Sequence, residues 1–201
     1  MEIESTEPKR PKWKQVLSSR ESGNGIEILP VHADDYTVRA LPNEYVSGGY
    51  ELDILEGHIE SGIPLLYIGP KGQGKTLALA YFAWRKGIPI IQFDCSENTK
   101  RLDLIGRFIL QGNEVKYLLG ALPTAIEVAN QKDAAVLVLE ELNALSPQQQ
   151  KVLNQILDWR RHVYVPELGK IYRLENDAKL LIAATMNPST YGGGCELNED
   201  L

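Results

Sequence analysis

The eight residues Gly69–Thr76, "GPKGQGKT", fit the pattern G-x-x-x-x-G-K-[ST]. They follow a short apolar run, "PLLYIG" (64–69), and lead into a helical one, "TLALAYFAWRKG" (76–87), which is the context this pattern requires. Its chemistry is phosphate binding. Gly69, Gly72 and Gly74 let the backbone turn tightly, so that its N–H groups point at phosphate oxygens. The positive end of the following helix favours the same anion. The candidate nucleotide-binding residues are therefore Gly69, Pro70, Lys71, Gly72, Gln73, Gly74, Lys75, Thr76 and Leu77. Lys75 supplies a point charge to the outer phosphates, and the Thr76 hydroxyl can ligate a magnesium ion. The competing reading is a glycine-rich turn with an incidental lysine.

A second stretch, "AVLVLEELN" (135–143), poses a complementary problem. Its apolar, β-branched run suits a strand buried on both faces, yet it ends in Glu140 and Glu141. Carboxylates there are expensive to desolvate unless a cation meets them. In a phosphate-binding α/β fold, the tip of a neighbouring parallel strand lies beside the nucleotide. We assign Glu140 to the magnesium ion, usually through water, and Glu141 to the water that attacks the terminal phosphate. Without the glycine-rich loop, two acids at the start of a surface helix would serve as well.

These groups need a scaffold, and the apolar pattern supplies one. Helices are expected over 51–62, 76–87, 120–131 and 146–160. The last opens with Ser146 and Pro147, a cap and a first helical residue. Apolar strands are expected over 64–69, 88–94, 135–141 and 178–187. Alternating strands and helices imply an α/β fold, a parallel sheet wrapped on both sides. Residues 1–24 are polar and rich in Pro, Ser, Lys and Glu, and read as a flexible tail before a domain spanning 25–201.

The 201 residues suit one sizeable core, and the net charge of -6 gives no general reason to expect nucleic-acid binding. Two cysteines, Cys95 and Cys195, are too few for a disulfide framework. No apolar stretch reaches membrane-spanning length, and "MEIESTEPKRPKWK" is no signal peptide, so a cytoplasmic setting is expected. His32, His58 and His162 are scattered without ligand spacing. Trp84 and Trp159 lie at helix ends and read as core or interface anchors.

Taken in order, "GPKGQGKT", "DLIGRFIL" (103–110), "GALPTAIEVA" (120–129), "LVLEELNALSPQQQKVLNQILDWR" (137–160) and "LIAATMNPSTYGGGCELNEDL" (181–201) resemble the MoxR-like branch of the AAA+ ATPases, in the dynein-related AAA subfamily. The resemblance covers roughly residues 36 to 201. It implies a P-loop NTPase core with two inserted β-hairpins, binding ATP and Mg2+. Asn187 falls on the family's sensor position, where an amide can donate to the terminal phosphate or orient the attacking water, beside Lys75 and Glu141 as catalytic groups. "RFILQGNEVKYLLG" (107–120) and "HVYVPELGKIYRL" (162–174) match the two hairpins, and both alternate apolar and polar residues around a turn. The resemblance further implies a homo-oligomeric, hexameric ring that remodels or activates a protein client. That client is a metal-cofactor enzyme in some relatives, reached with a von Willebrand A-type partner domain.

Two departures from the family stand out. Glu140 occupies a position usually held by Asp; one extra methylene still permits water-mediated contact with the ion. The sequence also stops at Leu201, before the family's arginine finger, fifth strand and helical lid, so the expectation is an incomplete core with very slow turnover. Two other functions stay open: a nucleotide-gated binding module with little hydrolysis, and a DNA- or RNA-acting ATPase, which the acidic balance does not favour.

Overall fold

The strand over Ala134–Glu140 (β6) is sandwiched because its side chains alternate between two apolar layers. Ala135, Leu137 and Leu139 face one core cluster, Val136 and Val138 the other. The computed structural model describes residues 25–41, 45–46, 48–188 and 195–199. The expected tail over 1–24 and the "STYGGG" stretch after Pro188 lie outside the described residues.

In chain order, the strands are β1 (Glu27–Ile28), β2 (Leu65–Ile68), β3 (Ile90–Asp94), β4 (Gly106–Gln111), β5 (Glu114–Leu119), β6, β7 (His162–Val165), β8 (Lys170–Arg173) and β9 (Lys179–Met186). The helices are α1 (Glu51–Ser61), α2 (Lys75–Lys86), α3 (Arg101–Ile105), α4 (Ala121–Lys132) and α5 (Pro147–Leu157). β2, β9, β6 and β3 form one all-parallel sheet in that order. β9, which leads into Asn187, thus lies between the loop-bearing strand and the acid-tipped one, and β2 stands at an edge among the described residues.

Helices cover both faces. Leu55 and Ile59 of α1 and Leu79, Phe82 and Ala83 of α2 pack with Val136, Val138, Leu181 and Ala183. On the other face, α4 and α5 contribute Leu122, Ile126, Leu153 and Ile156 against Leu137, Leu139 and Ile182. α1 and α2 stop where left-handed glycines follow, at Gly62 and Gly87. α5 opens as expected on a capping box between Ser146 and Gln149, with Pro147 in its first turn. It ends at Leu157, three residues before the expected end, where Asp158 takes an extended conformation.

Both hairpins form. β4 pairs antiparallel with β5, and β7 with β8. Sequence periodicity missed β1, whose two residues pair parallel with β5 and widen the first hairpin into a three-stranded sheet. It also missed the five-residue α3, which is too short to show a helical period. At the root of the first hairpin, Gly120 packs so closely that a Cβ there would sit 2.5 Å from the Leu104 backbone carbon. The tryptophans correct one half of the expectation, since neither is a core residue: Trp84 is 46% exposed and Trp159 89%, which leaves the reading as interface anchors. Trp84 instead lies 5.7 Å from the Tyr81 ring, which in turn lies 4.8 Å from Tyr45, on the outer side of α2.

Candidate active site

Because β2, β9, β6 and β3 are parallel and in register, their carboxyl ends meet on one side of the sheet. The turn after β2 carries the residues expected to form a phosphate loop. Gly69 N–H donates to the Met186 carbonyl at 3.2 Å, tying the start of the loop to the end of β9. Gly72 and Gly74 have φ of +80° and +76°, a left-handed conformation that favours glycine. Gly69 departs from the expectation: its φ is outside that region, and an added Cβ would meet nothing within 4 Å. Gly74 caps α2, so the helix begins at Lys75 and its first N–H groups face the loop.

Lys75 folds back over the loop, its Nζ donating to the carbonyls of Gly69 at 2.5 Å and Pro70 at 2.8 Å. That holds the ammonium inside the curve the phosphates would follow. The Thr76 hydroxyl donates to Glu140 Oε2 at 3.0 Å. A hydroxyl and a carboxylate this close are two hard oxygen donors converging on one point, the kind of pair that takes a small divalent cation.

Glu141 leaves the strand differently. Its φ of +52° places it in the left-handed region, which is uncommon for a residue with a side chain. The backbone N–H donates to the Thr185 hydroxyl at 3.3 Å, and the carboxylate pairs with Lys71 Nζ at 2.8 Å. This turn sends two adjacent acids to two different partners. Asn187 follows Met186 directly, so it stands next to the residue that holds Gly69 and two positions beyond the one that holds Glu141.

The structure therefore gathers Lys75, Thr76, Glu140 and Glu141 at one end of the sheet and sets Asn187 beside them. It adds residues that sequence reasoning did not single out. Thr185 is 4% exposed and supports Glu141; it reads in sequence as one more strand residue. Asp94, at the tip of β3, is in register with Glu140 and adds a third carboxylate to that end of the sheet. Lys71 was expected only as a loop residue, yet it reaches the acid strand. Gln150 is fully buried, and it fastens the chain after Asn187 back onto α5. Its Nε2 donates to the Leu145 and Glu196 carbonyls at 3.0 and 3.2 Å, and its Oε1 accepts from Asn198 N–H at 2.8 Å. Cys95 is buried and its N–H donates to the Glu140 carbonyl at 2.9 Å; burial and then the charges of Asp94, Glu140 and Glu141 push its thiol up to about 12.

Known proteins point the same way. The family model of the AAA domain (dynein-related subfamily) matches residues 64–201. Protein CbbQ from Hydrogenophilus thermoluteolus is 29% identical over 150 residues, covering 75% of this chain and 54% of CbbQ. Protein NorQ from Paracoccus denitrificans (strain Pd 1222) is 29% identical over 144 residues, covering 72% of this chain and 51% of NorQ. The chain thus spans about half the length of these curated relatives. In fold it is similar to a Cytophaga hutchinsonii protein assigned as an ATPase, at a TM-score of 0.56 and 22% identity, covering 75% of this chain and 42% of that one. The glycine-rich loop, the acid-tipped strand and β9 all fall within the matched region, and the chain belongs to the dynein-related subfamily of AAA domains, in the MoxR-like branch of the AAA+ ATPases.

Proposed function

We propose that this chain carries the Mg2+-dependent ATPase site of a MoxR-type machine that remodels or activates a protein client. The observation that carries the reading is the meeting of Thr76 and Glu140 at 3.0 Å below the phosphate loop. That hydrogen bond sets the Thr76 hydroxyl, which would ligate the ion directly, beside the carboxylate that would hold a water of the same ion. When bound, the ion would neutralise charge on the outer phosphates.

In this reading the loop N–H groups and Lys75 hold the triphosphate, while Asn187 and Glu141 act on water beside the terminal phosphate. Glu141 takes a proton from that water as its oxygen bonds to phosphorus. The bond to the bridging oxygen breaks, and its electron pair leaves on ADP. A neighbouring copy in a ring, hexameric by family resemblance, would add positive charge to the transition state. The hairpins are the elements proposed to meet the client: Phe108, Leu110 and Val115 on the first and Tyr164 and Ile171 on the second are exposed apolar residues. Among the described residues no helix is long and apolar enough to cross a membrane, and a cytoplasmic place for the machine is part of the proposal.

The test is phosphate release from ATP, with and without Mg2+, across a range of protein concentrations. Mg2+-dependent turnover whose specific rate rises with concentration supports both the site and the ring. Failure to bind ATP overturns the reading. Fast turnover independent of concentration overturns the ring alone.

A further inference from the structure

The ammonium of Lys71 belongs to the phosphate loop, but its partner is the carboxylate of Glu141, on the strand tip two strands away. The two groups meet at 2.8 Å, with side-chain exposures of 76% and 49%. Glu141 is unusual in a second way, since it is held in a left-handed conformation with its N–H on Thr185. That backbone turn directs the carboxylate away from Glu140 and Thr76 and toward the loop.

We propose that Lys71 is a positioning residue for Glu141 that senses the terminal phosphate of the nucleotide. This rests on the ATPase reading above and adds to it the means by which the base is released. The loop places Lys71 beside the phosphates, so Glu141 and the terminal phosphate compete for one ammonium. An exposed lysine–carboxylate pair is weak and is screened by solvent. A terminal phosphate offers more charge and three acceptor oxygens, and wins that competition. Once Lys71 turns to the phosphate, the Glu141 carboxylate is free to take a proton from water. A nucleoside diphosphate has no terminal phosphate at this place and leaves the pair closed. Lys71 thereby ties readiness of the base to the presence of a third phosphate.

The test is equilibrium binding of fluorescent ATP and ADP analogues to the unmodified chain, Lys71→Ala, Lys71→Arg, Glu141→Gln and the Lys71→Ala/Glu141→Gln pair. Loss of one charge-assisted contact is worth about tenfold in affinity, so Lys71→Ala should lower ATP affinity by about that factor and leave ADP affinity unchanged. Lys71→Arg keeps the charge and should restore most of the preference for ATP. Glu141→Gln removes a negative charge near the phosphate, which raises ATP affinity whether or not Lys71 takes part. The decisive quantity is therefore the difference between backgrounds: the gain from Glu141→Gln should be smaller when Lys71 is already alanine. Equal losses for ATP and ADP, or an equal gain from Glu141→Gln in both backgrounds, would overturn the proposal while leaving the ATPase reading intact. Binding of neither nucleotide by the unmodified chain would overturn both.

Discussion

Thr76 and Glu140 are 64 positions apart in sequence, and the hydroxyl of one donates to the carboxylate of the other at 3.0 Å. The sheet brings them together. β9 pairs with β2 on one side and β6 on the other, all parallel, so the loop after β2 and the acids after β6 emerge on the same side. The acids then part company. Glu140 keeps strand geometry and faces Thr76, whereas the left-handed turn at Glu141 carries its carboxylate to Lys71. Sequence neighbours thus meet separate partners because the backbone changes conformation between them.

That separation predicts two distinct phenotypes. Glu141→Gln keeps the shape of the side chain but cannot accept a proton, so it should retain Mg-ATP and abolish hydrolysis. Glu140→Gln keeps the base and weakens an oxygen ligand, so it should raise the Mg2+ concentration needed for half-maximal activity. A magnesium titration of phosphate release checks this; identical responses from the two variants would end the division of labour.

Lys75 places its ammonium on the carbonyls of Gly69 and Pro70, within the curve of the loop. Charge-assisted contacts of this kind are worth about 1.5–3 kcal/mol, so Lys75→Ala should lose about tenfold or more in ATP affinity. The fold should persist, because α2 is anchored by Leu79, Phe82 and Ala83 rather than by its first residue. Calorimetric titration with ATP, paired with circular dichroism, reads both effects. Unchanged affinity would remove Lys75 from the site.

The loop pattern and the two acids were legible in sequence because each is a local arrangement with its own chemistry. The strand tips converge on one site only because β9 lies between β2 and β6 in a parallel sheet, an order that apolar periodicity alone does not give. Contacts that depend on backbone conformation were not legible. Nothing in "LEEL" announces a left-handed Glu141, and the Thr185 hydroxyl that supports it looks like any strand residue. The pair of residues in β1 was invisible for another reason: two residues carry no period, and only the free edge of β5 gives them a partner. The core half of the reading for the tryptophans fails because Trp84 projects from the outer side of α2 and Trp159 follows the end of α5, so both rings keep much of their surface exposed.

Thr185 gives a further prediction. Thr185→Val preserves the β-branched shape and burial in β9 but removes the acceptor for Glu141 N–H. Leaving such a donor unpaired costs about 1–3 kcal/mol, and the left-handed turn loses its support. Turnover should fall about tenfold or more while ATP affinity stays within about threefold, since the loop contacts are untouched. Thr185→Ser should restore the rate, because it returns the hydroxyl. A matched loss of affinity and rate in Thr185→Val would show that the residue serves the loop instead.

Alkaline stability offers a test away from the site. Tyr117 of β5 is fully buried at the root of the first hairpin, with Phe108 edge-on at 5.1 Å. Burial, followed by the charge of Glu167, pushes its phenol from 10.0 up to about 12. The folded chain therefore holds this proton more tightly than the unfolded chain does. Stability from the neutral phenol is fully present below about pH 10 and is lost progressively as pH rises toward about 12. Tyr117→Phe keeps the ring and removes the titrating group, so its stability should fall less steeply over that window. Other alkaline groups titrate in both proteins and cancel in the comparison. Urea midpoints measured on both sides of about pH 10 give the two slopes. Parallel slopes would mean that the Tyr117 phenol ionises as readily in the folded chain as in the unfolded one, and that the hairpin root is open to water.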